Sequence, residues 1–423
     1  MSFRPELSRA WTLGDAERYL SSLELFGMRF GLDRMRRLMT ALGRPQEEFA
    51  SIHVVGTNGK SSTTRMIAAI LERHGLRTGT YTSPHLVSFA ERIQVEERGL
   101  EPAEFAAAVW RAARAAELVD RSLPEGDRVT QFEALTAAAY SQLAHRDVEV
   151  AVIEAGLGGR YDATNVIPSS VQVLTSVGLE HTRWLGPTIT HIAGEKLDVV
   201  KPGATVALGY GLHPDAAAVA GRVARERGAR TVWAPADPGV PVAALGAFQR
   251  RNFALARTAA EAYLGKLHPD AVARAAAETS IPGRLQVVGR DPLTVLDGAH
   301  NPEGIAALAE SLPDVTGGVR PLVGVVSILD DKDAATMLRT LLPGLDALIC
   351  TNSHNPRALP PPTLESLAQQ LEGPPTEIVR GPGAALARAR ELSGRRGAVI
   401  ATGSIYLIAD LLGAEQLERA SNL

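Results

Sequence analysis

Residues 51–75 constrain this chain more than any other stretch. Ser51-Ile52-His53-Val54-Val55 is short, rich in Ile and Val, and stops at Gly56, the pattern of a buried strand. After a second glycine, Met66, Ile67, Ile70 and Leu71 recur at helical spacing until Gly75. Between strand and helix lies Gly56-Thr57-Asn58-Gly59-Lys60-Ser61-Ser62. Glycines let a backbone turn tightly and approach an anion without a Cβ clash, and a helix N-terminus offers unpaired N–H groups and partial positive charge. Lys60 is then placed to reach terminal phosphates, with the Ser61 or Ser62 hydroxyl toward phosphate or metal. The spacing is shorter than GxxxxGK[ST], with two residues between the glycines. The plain alternative is a Gly-containing turn with a surface lysine.

The same alternation continues. Phe105, Val109, Ala112, Ala116 and Val119 read as a helix, Val148–Ile153 and Val171–Val177 as strands. Residues 234–247 shift to Pro, Gly and Ala, and a helical pattern resumes through Phe253, Leu255, Ala259 and Tyr263. After Ile281-Pro282-Gly283-Arg284 breaks regularity, strands are expected at Leu293–Leu296, Leu322–Val326, Ala347–Cys350, Glu377–Val379 and Ala398–Ala401. This predicts an α/β chain with two domains. A P-loop, doubly wound, mainly parallel sheet domain spans 1–286, and a smaller Rossmann-like α/β domain spans 287–423.

Composition removes several function classes. The chain has 423 residues, 45% hydrophobic and 22% charged, which excludes a disordered or fibrous protein. Net charge is −3, giving no basis for a nucleic-acid or anionic-membrane surface. The single cysteine, Cys350, excludes an internal disulfide and thiolate metal clusters. Charged residues interrupt the N-terminal stretch, and no run reaches membrane-helix length, so a cytoplasmic protein is expected.

Other candidates stand at strand ends, where doubly wound sheets gather their ligands. Glu154 follows a strand and precedes Ala155-Gly156-Leu157-Gly158-Gly159; it can bind Mg²⁺ or cap the next helix. His181 lies past Val177-Gly178 and by itself reads as a solvated or capping loop residue. Lys196 lies on an expected helix and by itself reads as a surface lysine. Asp297-Gly298-Ala299-His300-Asn301-Pro302 is a second strand-to-helix junction, either a ligand site or a turn closed by an Asn cap.

Taken in order, these segments resemble the folylpolyglutamate synthase family of the Mur-ligase superfamily, including its bifunctional dihydrofolate synthase form. The matching stretches are Val55–Ser62, Thr82-Ser83-Pro84-His85-Leu86 with Glu91-Arg92-Ile93, Thr130-Gln131-Phe132-Glu133, Glu154–Asn165, His181-Thr182, Leu185-Gly186-Pro187-Thr188, Ile192–Lys196, Phe248–Asn252, Pro282-Gly283-Arg284 and Asp297–Pro302. They span roughly residues 15–410, and Thr82–Leu86 separates folate-type ligases from cell-wall ones. The chain departs from the pattern at Ser61, usually Gly, at Glu180, usually Asp, and at Tyr161 and Leu197, usually Leu and Ala.

The resemblance implies ATP-dependent addition of L-glutamate to a folate through an acyl phosphate, and leaves open whether dihydropteroate is also an acceptor. It assigns ATP to Gly56, Thr57, Asn58, Gly59, Lys60, Ser61, Ser62, Asn252, Arg284 and Asp297, between the two domains. It assigns one Mg²⁺ to Ser83 and Glu154 and a second to Glu154 and His181, with Lys196 carbamylated beside it and a monovalent cation such as K⁺ as a further cofactor. Phe132, Glu133, Arg160 and Asp162 fall on the folate side; His300 and Ser404 fall on the side of glutamate or the intermediate. Lys60, Glu154, His181, Lys196 and His300 form the implied catalytic set, in a monomer that acts on small molecules. Two other readings are a different Mur-type amino-acid ligase and a P-loop NTPase that is not a ligase. The first is expected to carry a UDP-binding domain ahead of a loop that here begins at residue 56, and the second predicts hydrolysis without acceptor substrates.

Overall fold

The computed structural model describes residues 10–24 and 31–421, with side chains as far as residue 413. The chain divides into two compact units. One is Met1–Pro241 with Arg251–Thr279; the other is Val242–Arg250 with Ser280–Leu423.

The first unit holds an eight-stranded sheet made from β1 (Ala50–Val55), β2 (Thr78–Tyr81), β3 (Ile93–Val95), β4 (Arg98–Gly99), β5 (Val150–Glu154), β6 (Val171–Leu174), β7 (Thr205–Leu208) and β8 (Arg230–Trp233). Their order across the sheet is β4-β3-β2-β5-β1-β6-β7-β8. Six strands are parallel, and β3 and β4 add an antiparallel edge. The central strands are rich in apolar residues and buried nearly throughout because helices cover both faces: all five residues of β5 are buried, as are five of the six in β1. On one face the helices Pro102–Asp120 and Gln131–His145 pack Phe105, Val109, Leu135 and Tyr140 into the core. Elsewhere in the unit the helices Ile189–Leu197 and Pro214–Arg227 pack Ile192, Leu197, Val219 and Val223 with β6 and β7 residues.

The chain leaves β1 through the helix Lys60–Glu72 toward β2, and later passes from β5 across β1 to β6. β1 is therefore where the winding reverses, and the crevice at such a point lies outside the carboxyl ends of the strands. Register aligns those ends, with Val54 opposite Glu154, Val55 opposite Leu174, and Tyr81 opposite Ile153.

The second unit holds β9 (Gln286–Arg290), β10 (Leu293–Leu296), β11 (Leu322–Val326), β12 (Ala347–Cys350), β13 (Thr376–Ile378) and β14 (Ala398–Thr402), in the order β13-β12-β11-β14-β10-β9. Only the β9–β10 pair is antiparallel. The helix Pro302–Thr316 carries the chain from β10 past β14 to β11, so this sheet reverses between β10 and β14. The expected strand Val171–Val177 ends at Leu174, because Thr175 and Ser176 leave the ladder to bond the loop after β1.

Candidate functional site

The loop after β1 is held by the residues that follow β6. The Thr57 N–H donates to the Ser176 carbonyl at 2.8 Å, and the Asn58 N–H to Ser176 Oγ at 2.9 Å. Thr175 Oγ1 donates to the Asn58 carbonyl at 2.6 Å, and the Gly178 N–H donates to Thr57 Oγ1 at 3.0 Å. Gly56 makes this closeness possible, since a Cβ there would fall 1.9 Å from Thr175 Oγ1. Thr175 and Ser176 were absent from the sequence-derived candidates; the signal that could have found them is a hydroxyl pair closing an apolar strand beside the central one.

Gly59 is the residue before the helix Lys60–Glu72. It takes the left-handed conformation with φ of 85°, and a Cβ on it would meet Asn252 Oδ1 at 2.6 Å. No side chain caps this helix. Its first N–H groups therefore face the crevice without the Ser, Thr, Asp or Asn that usually satisfies them.

Two lysines converge on one acceptor. Lys60 Nζ donates to the carbonyls of Gly56 and Thr57, each at 3.1 Å, and Lys196 Nζ donates to the same Gly56 carbonyl at 2.8 Å. Lys196, a surface lysine when read alone, is buried at 4% exposure. Burial first, and Lys60 second, bring its proton affinity down to about 7, against the opposing pull of Glu180 and Asp162. Its helix sits close because Gly159 has no side chain: a Cβ there would lie 2.5 Å from the Lys196 carbonyl. The Arg160 N–H bonds the Glu195 carbonyl at 2.9 Å, and its guanidinium pairs with Glu195 at 3.2 Å and Asp198 at 3.4 Å.

Glu154 closes β5 and is 1% exposed. Ser61 Oγ donates to its Oε1 at 2.9 Å and the Ser83 N–H to its Oε2 at 3.0 Å. A carboxylate, a hydroxyl and an amide thus meet from the ends of three neighbouring strands, β5, β1 and β2. Such an oxygen set suits a hard divalent cation. Among the described residues no three of His, Cys, Asp and Glu gather as a metal cluster, so phosphate, water or serine oxygens would have to complete the coordination of such a cation. His181 stands just before the short helix Thr182–Leu185 with φ of 52°; its side chain is 40% exposed, 4.0 Å from a Glu180 oxygen.

The folate-side candidates divide. The Phe132 ring lies against Gly156, where a Cβ would be 2.5 Å away, and 6.1 Å from the Tyr81 ring. The buried Glu133 carboxylate accepts Arg34 Nε at 3.0 Å and the Thr130 N–H and hydroxyl at 2.9 Å, completing a capping box. Buried Asp162 accepts the N–H groups of Leu157 at 2.8 Å and Thr164 at 3.0 Å, and burial raises its pKa. Glu133 and Asp162 therefore hold backbone in place, whereas Phe132 and Arg160 present surface.

The second unit has its own strand-end group. Buried Asp297 accepts the Leu285 N–H at 2.9 Å and the Ala299 N–H at 2.8 Å; burial raises its pKa although the Arg284 charge opposes this. Arg284 Nη1 donates to the Gly283 carbonyl at 3.2 Å and lies where a Cβ on Gly298 would be, 2.2 Å away. His300 Nδ1 lies 2.8 Å from the Gly298 carbonyl. Asn301 caps the helix Pro302–Thr316 by accepting the Gly304 N–H at 2.8 Å. Ser404 Oγ accepts the Tyr406 N–H at 3.1 Å. The asparagine cap expected as one alternative is present, alongside the carboxylate.

Residues 283–405 match the Mur ligase, glutamate ligase domain family. Over 363 residues the chain is 37% identical to a folylpolyglutamate synthase of Lacticaseibacillus casei, covering 79% of this chain and 84% of that protein. It superposes on a Mycobacterium tuberculosis folylpolyglutamate synthase complexed with ADP with a TM-score of 0.88 and 32% identity, over 96% and 98% of the two chains. A bifunctional folylpolyglutamate synthase/dihydrofolate synthase from Yersinia pestis, complexed with AMPPNP and Mn ion, gives a TM-score of 0.84 at 29% identity over 98% and 100%. Among the described residues no helix is long and apolar enough to cross a membrane.

Proposed function

The chain belongs to the folylpolyglutamate synthase family, and from that premise we propose that it is an ATP-dependent ligase that adds L-glutamate to a folate. The observation that carries this is the strand-end group of Gly56–Ser62, Ser83, Glu154 and Lys196, joined by direct hydrogen bonds in one chain. Relatives with this fold hold ADP, or AMPPNP with Mn ion.

The reaction activates a carboxylate by phosphorylation. The folate carboxylate attacks the γ-phosphorus of ATP, ADP leaves, and an acyl phosphate forms; the amine of L-glutamate then attacks that carbonyl and phosphate departs. An anion attacking an anion needs concentrated positive charge. Lys60 and the uncapped N–H groups after Gly59 hold the ATP phosphates, and Asn252, Arg284 and Asp297 complete nucleotide recognition. Glu154 and Ser83 would hold one Mg²⁺, and Glu154, His181 and carbamylated Lys196 a second, with a cation such as K⁺ as a further cofactor; bound there, the metals would supply neutralisation of charge on the transferring phosphoryl group.

Lys196 is suited to carbamylation because it is buried beside another cation. Its neutral amine attacks CO₂, one N–H proton leaves to solvent, and the cation becomes an anionic oxygen ligand. Phe132 offers a face for stacking the pterin and Arg160 a positive charge on the folate side; Glu133 and Asp162 act by fixing the backbone. His300 and Ser404 serve the glutamate side. The same reading takes the enzyme as a cytoplasmic monomer working on small molecules.

The test is ADP release with ATP, L-glutamate and either tetrahydrofolate or dihydropteroate. Stimulation by tetrahydrofolate is expected, and stimulation by dihydropteroate would add dihydrofolate synthase activity. If neither acceptor raises turnover above the ATP-only rate, the reading fails. Lys196→Ala assayed with and without bicarbonate tests the carbamate, which unchanged activity would remove.

A further inference from the structure

A cavity of about 370 Å³ lies in the first unit, away from the strand ends that carry Glu154 and Gly56. Its lining comes from segments that precede strands: residues 36–47 lead into β1, Asn165 and Val166 into β6, and Lys201 into β7. These three strands are adjacent and parallel, so the cavity sits on the amino-end rim of the sheet, opposite the site described above. Its size is that of a small-molecule site.

The lining is electrostatically unbalanced. Arg36, Arg44 and Lys201 contribute three positive charges, and Glu47 the single negative one. Glu47 pairs with Arg44 at 2.6 Å, leaving two cations in excess. Among the described residues, Lys201 Nζ donates to neutral acceptors, the Asn165 Oδ1 at 2.8 Å and its carbonyl at 3.3 Å. Arg36 has no ion-pair partner among the described residues; burial first, then Arg227 and last Arg36 oppose protonation of Lys201, against the pull of Asp198. Gln46, 6% exposed, also lines the cavity, and its side-chain carbonyl oxygen has no hydrogen-bond partner. Two like charges facing a half-buried space form a site that an anion would stabilise, and a hydroxyl or protonated oxygen on that ligand would supply the donor that Gln46 Oε1 lacks. Arg36 offers a planar fork for an oxyanion and Lys201 a point charge.

We propose that this rim cavity binds a small polyanion bearing at least two phosphate or carboxylate groups, bridged between Arg36 and Lys201. The proposal is independent of the ligase reading, since none of these residues belongs to the nucleotide or metal group. Isothermal titration with inorganic pyrophosphate, and separately with citrate, tests it in the wild-type chain and in Lys60→Ala, Arg36→Gln and Lys201→Gln variants. Expected is saturable binding that survives Lys60→Ala and weakens about tenfold or more in Arg36→Gln and Lys201→Gln, the loss of one charged hydrogen bond each. Binding of pyrophosphate alone identifies a phosphate-bearing ligand, of citrate alone a polycarboxylate, and of both a general polyanion; each supports the site. Binding abolished by Lys60→Ala and untouched by Arg36→Gln would place the anion on the glycine loop and overturn the proposal, as would no saturable binding of either probe. Arg36 is exposed on its helix, so Arg36→Gln, checked by circular dichroism, carries the test even where Lys201→Gln does not fold.

Discussion

Two helices begin where a central strand ends, one in each unit, and their first turns are finished in opposite ways. After β1, Gly59 takes a left-handed conformation, no side chain caps the helix, and Lys60 turns back onto loop carbonyls. After β10, Asn301 supplies the missing acceptor from within the chain. A helix start that the protein caps for itself is a structural joint. One left open, with a lysine beside it, is a seat for an external anion. Position at a switch point is shared by both, so it is the cap that separates them.

The largest expected effect tests the open start. Lys60→Ala should lower kcat on the order of 10²–10³-fold in the ADP-release assay while the far-ultraviolet spectrum stays unchanged, the scale for losing one preorganised donor at a charged transition state. A near-normal rate would mean that the loop is only a turn. Next comes a third helix start, closed by Thr130 and Glu133. Glu133→Ala should cost ~1–3 kcal/mol in urea unfolding, because it removes the capping box and leaves buried Arg34 with Asp127 at 3.2 Å as its remaining ion-pair partner among the described residues. Unchanged stability with a raised KM for folate would reassign Glu133 to substrate. Gly59→Ala should cost ~1–2 kcal/mol from its positive φ, and should weaken ADP binding as its methyl displaces Asn252. Asn301→Ala should cost about 1 kcal/mol and leave ADP affinity as it was; collapse of that affinity would erase the contrast between the two starts.

The last effect is a slope. Lys196 has its native pKa lowered from 10.5 to about 7, so between those values the unfolded chain binds the extra proton. Stability should therefore rise with pH across that window. Below about 7 both states are protonated and the full burial penalty remains. Thermal unfolding of Lys196→Met should lack this rise relative to wild type; parallel profiles would show that Lys196 titrates normally.

Much of this frame is legible in the sequence where parallel strands are continuous apolar runs. β10, β11 and β12 fall where Leu293–Leu296, Leu322–Val326 and Ala347–Cys350 predict them. Strands without such runs escape that reading. β2 is Thr78-Gly79-Thr80-Tyr81, and Gly79 is there because a Cβ would meet Leu143 at 2.5 Å, a packing demand invisible to periodicity. Within the site, spacing singled out Lys60 and Glu154. It could not tell that Lys196 is buried, because its helix is brought in by a glycine thirty-seven residues earlier. Nor could it show that Glu133 and Asp162, both acidic and near the site in sequence, serve backbone amides.

The carbonyl of Gly56 ties one lysine's charge to the ionisation of another. Lys60 and Lys196 share it, and the Lys60 ammonium raises the cost of charging Lys196. Whatever draws the Lys60 charge toward an incoming phosphate changes the proton affinity of Lys196. Thermodynamic reciprocity then requires the protonation of Lys196 to change phosphate affinity by the same factor. One backbone oxygen thereby makes ligand capture and proton release two readings of a single equilibrium.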